Sequence, residues 1–478
     1  MDTASQLELL RPLGKLEQIA ASCHHLGFFN NVGLSASYKL LTASPWKVSN
    51  LRGLIYAAVG DVARQHRILF AIPVNEDTPS PEFALLPSID LNKTILFLER
   101  SKPLAVASGE DAELDATLQD QHNIDFKSDY GTRPSWRLII LQSPEVETEF
   151  TASFIYHHAI GDGMAGLAFH NAFRVALDAA SSSSTPPNQA KTTTIMPDET
   201  IQLLPSLEEL HELPINPSPP QPPPVKLNGW TGNPIRLPCK SGWASLYLSP
   251  STSRRFVQEC KEKGQSVTSA LSSVIAAVLF RNLAPTVESL TCIVPVNLRP
   301  WLNLPPNAIG TYFDATTVHF TRPDGYIGQD ILSADEIWAG ASQASKAIND
   351  YLSNVSPTGQ PYTSVAHFKS IPDIGAAFTS LLGNPRDAAF EVTNVGVVRS
   401  ATISKSGEGA SGWQVDRVLL SRSAAVSGAA ITVSVATGGP DSESGVMALG
   451  FSWQEGVVDD SFADGVRMGV KKFFDIYG

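Results

Sequence analysis

Tyr156-His157-His158-Ala159-Ile160-Gly161-Asp162-Gly163 decides how this 478-residue chain is read. The stretch before it, Thr148 to Tyr156, alternates apolar and polar residues or runs apolar, as a strand in a covered sheet does. The stretch after it, Met164 to Leu177, places Leu167, Phe173 and Leu177 at spacings that fit one helix face. The octapeptide is therefore expected on a strand-to-helix turn. Successive strand side chains point to opposite faces, so one of His157 and His158 faces a cavity and the other packs. Gly161 and Gly163 are expected to supply backbone angles closed to other residues, letting Asp162 turn back toward the backbone or toward a cation. A neutral imidazole, with an ordinary pKa of ~6.5, accepts a proton from an alcohol and supplies roughly 10²–10⁴ in rate. The competing reading is a pair of hydrogen-bonded histidines with Asp162 capping the next helix. A metal site is not expected, because adjacent strand histidines diverge and no Cys or third His stands close by in sequence.

The length suits two domains of about 200 residues each. A net charge of −12 argues against nucleic acid and anionic membrane surfaces as partners. No apolar run reaches the ~18 residues that a transmembrane helix needs; Val267 to Phe280 is too short and reads as a buried helix capped by Ser266 or Thr268. Met1 to Glu8 lacks the basic start and apolar core of a signal peptide. Cys23, Cys239, Cys260 and Cys292 show neither paired nor metal-type spacing, which fits a reducing, cytoplasmic setting.

A polar stretch opening at Ser181 and closing in the proline-dense Pro214 to Pro224 reads as an inter-domain crossover, or over 181–200 as a disordered insertion. It divides the chain into 1–180, 181–240 and 241–478. Beyond it, strand-like runs are expected at 242–248, 290–296, 315–320, 390–398, 430–435 and 446–453, interleaved with helices, so the fold class is mixed α/β. Leu7–Ala21 and Phe462–Tyr477 are mildly amphipathic and are expected to pack as ordinary helices.

His157-His158-Ala-Ile-Gly-Asp162-Gly163 resembles the HHxxxDG signature of the CoA-dependent acyltransferase superfamily, which includes chloramphenicol acetyltransferase, the plant BAHD enzymes and peptide-synthetase condensation domains. Arg11-Pro-Leu-Gly-Lys-Leu-Glu17, His24-His25-Leu-Gly-Phe-Phe-Asn-Asn-Val32 and Trp136-Arg137-Leu138-Ile-Ile-Leu141 resemble the fungal alcohol O-acetyltransferases within it. The likeness runs from about residue 11 to about 470 and is densest in the first half. The plant enzymes' Asp-Phe-Gly-Trp-Gly motif is missing; Trp413-Gln-Val-Asp416-Arg417-Val418 stands near its place, which favours the fungal group.

The resemblance implies two chloramphenicol-acetyltransferase-like domains, α/β in the mixed α+β sense, with helices flanking mixed sheets and an active-site tunnel between them. It makes His158 the base. Asp162 would be structural, in a salt bridge to an arginine on a distant segment, and Val296-Asn-Leu-Arg299-Pro300 has the matching form. Thr393 or Asn394 would line the tunnel or donate to the oxyanion. His24 and His25 would line the acceptor channel or make structural hydrogen bonds. Acetyl-CoA would be a cosubstrate, with no bound cofactor or metal. The expected activity is acetyl transfer to a small alcohol or a hydroxylated secondary metabolite through a ternary complex, in a cytoplasmic monomer. No activated Ser or Cys accompanies the histidine, so direct attack is expected. Two rivals are a condensation-type enzyme that draws its acyl group from a carrier protein, and a silent relative that binds a small apolar ligand.

Overall fold

The computed structural model describes residues 6–41, 50–102, 110–146, 148–182, 193–217, 227–323, 333–399, 412–441 and 443–477. Within the Ser- and Pro-rich stretch at 181–240, residues 183–192 and 218–226 lie outside the described residues.

Two mixed sheets dominate. The first has five strands in the order Trp413–Arg422, Val32–Leu40, Glu149–Tyr156, Trp136–Gln142, Ile95–Glu99. Its pairs are antiparallel except for the last, which is parallel. The second has six, in the order Ser241–Tyr247, Val446–Gln454, Ala429–Gly439, Ala388–Arg399, Ser289–Asn297, Phe313–Thr321. There Ala388–Arg399 runs parallel to both of its neighbours, and the other pairs are antiparallel. The expected strand positions in the second half fall within these elements, except that the run expected over 242–248 ends at Tyr247.

Helix Gly163–Ser182 covers the first sheet because Phe169, Phe173 and Leu177 recur every four residues and are fully buried. The Phe169 ring stacks on Phe154 of the sheet with centroids 3.9 Å apart. Val267–Asn282 is buried on most of its circumference, and Ser266 Oγ accepts from the Ser269 amide at 3.0 Å to cap it. Among the described residues no helix is long and apolar enough to cross a membrane. Asp460–Tyr477 packs on Val267–Asn282 as an ordinary amphipathic helix.

The expectation for Leu7–Ala21 needs correction. Glu8–Pro12 is a strand, antiparallel to Glu82–Leu85, and the helix begins only at Lys15. Proline at 12 and glycine at 14 break the helical pattern that the apolar spacing suggests.

The Trp413–Arg422 strand was not foreseen either. It comes from late in the chain yet pairs with Val32–Leu40 in the first sheet, with Ser421 opposite Gly33 and Arg422 opposite Val32. This places Leu420 and Arg422 one strand away from the end of the strand that leads into His158.

Three of the buried histidines in the first half have pKa values pushed far down. His122 Nδ1 meets Asn31 Oδ1 at 2.6 Å, and His170 is held between Tyr38 Oη and the Leu34 carbonyl at 2.8 Å each. His157 is the third. Burial, above all, pushes His122 down to about 3 and His157 and His170 down to about 4. Above pH 6.5 all three are neutral folded or unfolded. As pH falls from 6.5 toward 4 the unfolded chain takes up protons that the folded chain refuses, so stability is lost. By pH 5.5 the loss relative to pH 8 is about 1–1.5 kcal/mol per histidine, or about 4 kcal/mol together. Thermal melts between pH 8 and 5.5 check this; a flat melting temperature across that window contradicts it.

Candidate active site

The strand Glu149–Tyr156 ends where the His157 amide donates to the Ser135 carbonyl at 2.8 Å, and the chain then turns into the helix at Gly163. His158 lies on the cavity side of this turn. Its Nδ1 is 2.9 Å from the Gly161 carbonyl oxygen. A carbonyl can only accept, so Nδ1 carries the proton and Nε2 keeps the lone pair. The ring stacks parallel to Phe313, with centroids 5.4 Å apart, and tilts against Phe29 at 5.6 Å. Burial, and then the positive charge of Arg422, hold its pKa below the ordinary histidine value.

Asp162 and Arg299 meet fork to fork. Nη1 donates to Oδ2 at 2.8 Å and Nη2 to Oδ1 at 3.0 Å, across 137 positions of sequence. Oδ2 also accepts from the Tyr312 amide at 2.9 Å, and Oδ1 from the Ala165 amide at 3.1 Å. Asp162 therefore caps the following helix and pins the distant segment at once, uniting two readings that the sequence set against each other. His158 is not among its partners.

The glycines act through space rather than through backbone angle, which corrects the expectation for them. Neither Gly161 nor Gly163 has a positive φ. A Cβ on Gly161 would lie 2.6 Å from Ala165 Cβ, and one on Gly163 would lie 2.8 Å from Val395 Cγ1. Both separations are shorter than packed carbons tolerate.

His157 points the other way. Its Nδ1 accepts from the Ala159 amide at 3.0 Å, and its Nε2 is 3.0 Å from Glu76 Oε1 without the alignment of a good hydrogen bond. Glu76 Oε2 is 2.9 Å from His24 Nδ1, and His24 Nε2 accepts from the Phe126 amide at 3.0 Å. Burial alone would raise the Glu76 pKa, but its contacts with His157 and His24 outweigh that and hold it at about 2. The three residues have metal-ligand chemistry and their donor atoms lie within 4.8 Å of one another. The backbone amides at His24 Nε2 and His157 Nδ1 place the ring protons on the two nitrogens that face Glu76, where a metal would need lone pairs. The cluster is a hydrogen-bonding assembly.

His24 and His25 are not among the residues that line the cavity around His158; of the two roles expected, His24 makes structural hydrogen bonds. His24 is occupied by Glu76 and Phe126, and His25 is exposed at the helix end, its carbonyl accepting from Lys127 Nζ at 2.9 Å.

Thr393 and Asn394 do line that cavity, which holds about 650 Å³ counting its open mouth. The Asn394 amide is engaged on both sides, Nδ2 donating to Thr268 Oγ1 at 3.2 Å and Oδ1 accepting from the Gly396 amide at 2.9 Å. Thr393 has no side-chain partner among the described residues. Val32, Met164, Val296, Phe313, Val395 and Leu420 supply apolar wall. Into this wall Glu391 and Arg422 bring an ion pair, with Nη1 2.6 Å from Oε1. Sequence reasoning missed Arg422 because only the pairing of its strand with Val32–Leu40 brings it here.

The alcohol acetyltransferase family model matches residues 110–219, which include the whole strand–turn–helix unit around His158. The probable alcohol acetyltransferase crmB of Aspergillus fumigatus is 62% identical over 469 residues, covering 97% of this chain and 99% of that protein. The chain belongs to the alcohol acetyltransferase family. This alcohol acetyltransferase is also 23% identical to the probable alcohol acetyltransferase FCK4 of Fusarium pseudograminearum, over 96% of this chain and 93% of that one. In fold it matches the TRI3 trichothecene 15-O-acetyltransferase from Fusarium sporotrichioides with a TM-score of 0.67 at 12% identity, covering 98% of this chain and 94% of the other. A condensation domain of the calcium-dependent antibiotic synthetase aligns with a TM-score of 0.58 at 12% identity, over 99% and 97% of the two chains. The enzyme is an O-acyltransferase of mixed α/β fold.

Proposed function

We propose that this acyltransferase moves acetyl from acetyl-CoA to the hydroxyl of an alcohol, with His158 as general base in a ternary complex. The observation that carries the reading is the His158 Nδ1 contact with the Gly161 carbonyl, because it leaves Nε2 as the basic nitrogen on a ring that lines the cavity. Nε2 takes the proton of the acceptor hydroxyl as its oxygen bonds to the thioester carbonyl carbon. The tetrahedral intermediate collapses by breaking the carbon–sulfur bond. The proton held on Nε2 then passes to the leaving sulfur, giving the ester and CoA thiol. Thr393 lines the same cavity with its hydroxyl uncommitted among the described residues, which supports it as the donor to the oxyanion. Asp162 and Arg299 hold the turn and the opposing segment together without entering the reaction.

Thiol release from acetyl-CoA over a panel of alcohols tests this, with the parent protein beside His158→Ala. Acceptor-dependent release that disappears in the variant supports the reading. Release that is independent of His158, or absent with every alcohol, overturns it. The reading also predicts a pH profile. His158 works as the neutral base, and burial with Arg422 nearby lowers its pKa. Activity is therefore retained below pH 6.5 and is lost as pH falls through the lowered value. An acidic limb of kcat/KM centred at or above pH 6.5 contradicts that assignment.

A further inference from the structure

An ion pair in the wall of a mostly apolar cavity is costly, and the pair at Glu391 and Arg422 is incomplete. Its side chains are only 11% and 17% exposed. One contact joins them, Arg422 Nη1 to Glu391 Oε1 at 2.6 Å. Among the described residues the other carboxylate oxygen, Oε2, and the other terminal nitrogen, Nη2, have no protein partner, and Arg422 Nε is buried without one. Asp162 differs in this respect, since both of its oxygens are fully engaged by Arg299 and backbone amides. The guanidinium lies 4.8 Å over the Phe29 ring, whose other neighbour is His158, with centroids 5.6 Å apart. The open hydrogen-bonding capacity therefore sits one aromatic ring away from the reacting nitrogen.

Desolvating two charges costs several kcal/mol per ion unless their remaining donors and acceptors are satisfied. In an open cavity solvent can do this for Glu391 Oε2 and Arg422 Nη2, which are not sealed off as Nε is. A hydrocarbon acceptor that displaced the water would leave carboxylate and guanidinium unsatisfied against an apolar chain. A second hydroxyl or carbonyl on the substrate would complete them, and a hydroxyl can do both, accepting from Arg422 and donating to Glu391.

We propose that Glu391 and Arg422 form a polar subsite that reads a second oxygen function on the acceptor, so that the enzyme's alcohols are polyfunctional rather than simple alkanols. This rests on the proposed transferase reading. The amides of the pantetheine arm offer similar chemistry, so the test separates the two substrates.

Paired acceptors decide the matter: alkanediols beside the n-alkanols of equal chain length, with kcat/KM measured by thiol release from acetyl-CoA. The unaltered enzyme is expected to prefer the best diol by on the order of 10²-fold or more, since a site built to hydrogen-bond a substrate oxygen rejects analogues that lack it. In the double variant E391L/R422M, which removes both charges together, the ratio is expected to fall to within about threefold, with the KM for acetyl-CoA unchanged. Equal use of diols and alkanols by the unaltered enzyme overturns the subsite, and that comparison needs no variant to fold. A preference that survives in a folded double variant overturns it as well. A raised KM for acetyl-CoA with the diol preference intact assigns the pair to the donor instead. Release that depends on no alcohol of either kind overturns the transferase reading beneath it, which equal use of both kinds does not.

Discussion

Replacing His158 by alanine is expected to lower kcat by about 10²–10⁴-fold or more while the protein stays folded. The ring is half-buried at a cavity wall, and its loss removes one stacking contact with Phe313, worth about 1 kcal/mol, and the hydrogen bond to the Gly161 carbonyl. Thiol release and a melting curve on the same preparation check both halves of the expectation. His157→Ala is the matched control. It removes the Ala159 amide's acceptor and one neighbour of a buried carboxylate at Glu76, so its main effect falls on stability. A dead but well-folded His157→Ala, beside an active His158→Ala, would exchange the roles assigned to the two rings.

Separating Asp162 from Arg299 is expected to cost about 3–5 kcal/mol from either side, because a charge is left behind without its counterpart. Their side chains are 6% and 13% exposed, so solvent does little to compensate. Asp162→Ala strips the Tyr312 and Ala165 amides of their acceptor as well, and Arg299→Ala strips the Gly310 carbonyl of a donor at 3.0 Å. Arg299→Lys should recover little, since a single ammonium cannot reproduce two parallel hydrogen bonds. The double alanine variant should cost less than the sum of the single ones, because it leaves neither charge stranded. Denaturant unfolding of all four proteins completes the cycle. An Arg299→Ala protein as stable as the parent would show that the pair carries no structural load. Loss of activity is expected to follow the loss of stability, because the same contacts hold the turn beneath His158.

Much of this was legible in the chain itself. The alternation before Tyr156 and the spacing of Leu167, Phe173 and Leu177 are local periodicities, and they determine a strand, a turn and a helix without reference to anything distant. Ser266 before an apolar run is likewise a local signal for a capped, buried helix. A local pattern misleads where it admits two outcomes. Leu7–Ala21 has helical spacing, yet Pro12 and Gly14 split it into a strand and a shorter helix. Gly161 and Gly163 suggest unusual backbone angles, yet what they provide is room beside Ala165 and Val395. Steric need of that kind is invisible until the facing side chains are known.

By itself, then, the sequence determined the strand–turn–helix unit, the two divergent histidines and the residue types available for proton transfer, because these depend on the pitch and pleat of a single segment. Only the tertiary structure decided which histidine lines the cavity and which one Glu76 and His24 enclose. Only it set Arg422 and Glu391 into the wall beside His158. Those outcomes depend on strand partners far apart along the chain, and pairing across a sheet is set by the burial of whole faces rather than by any short run of residues.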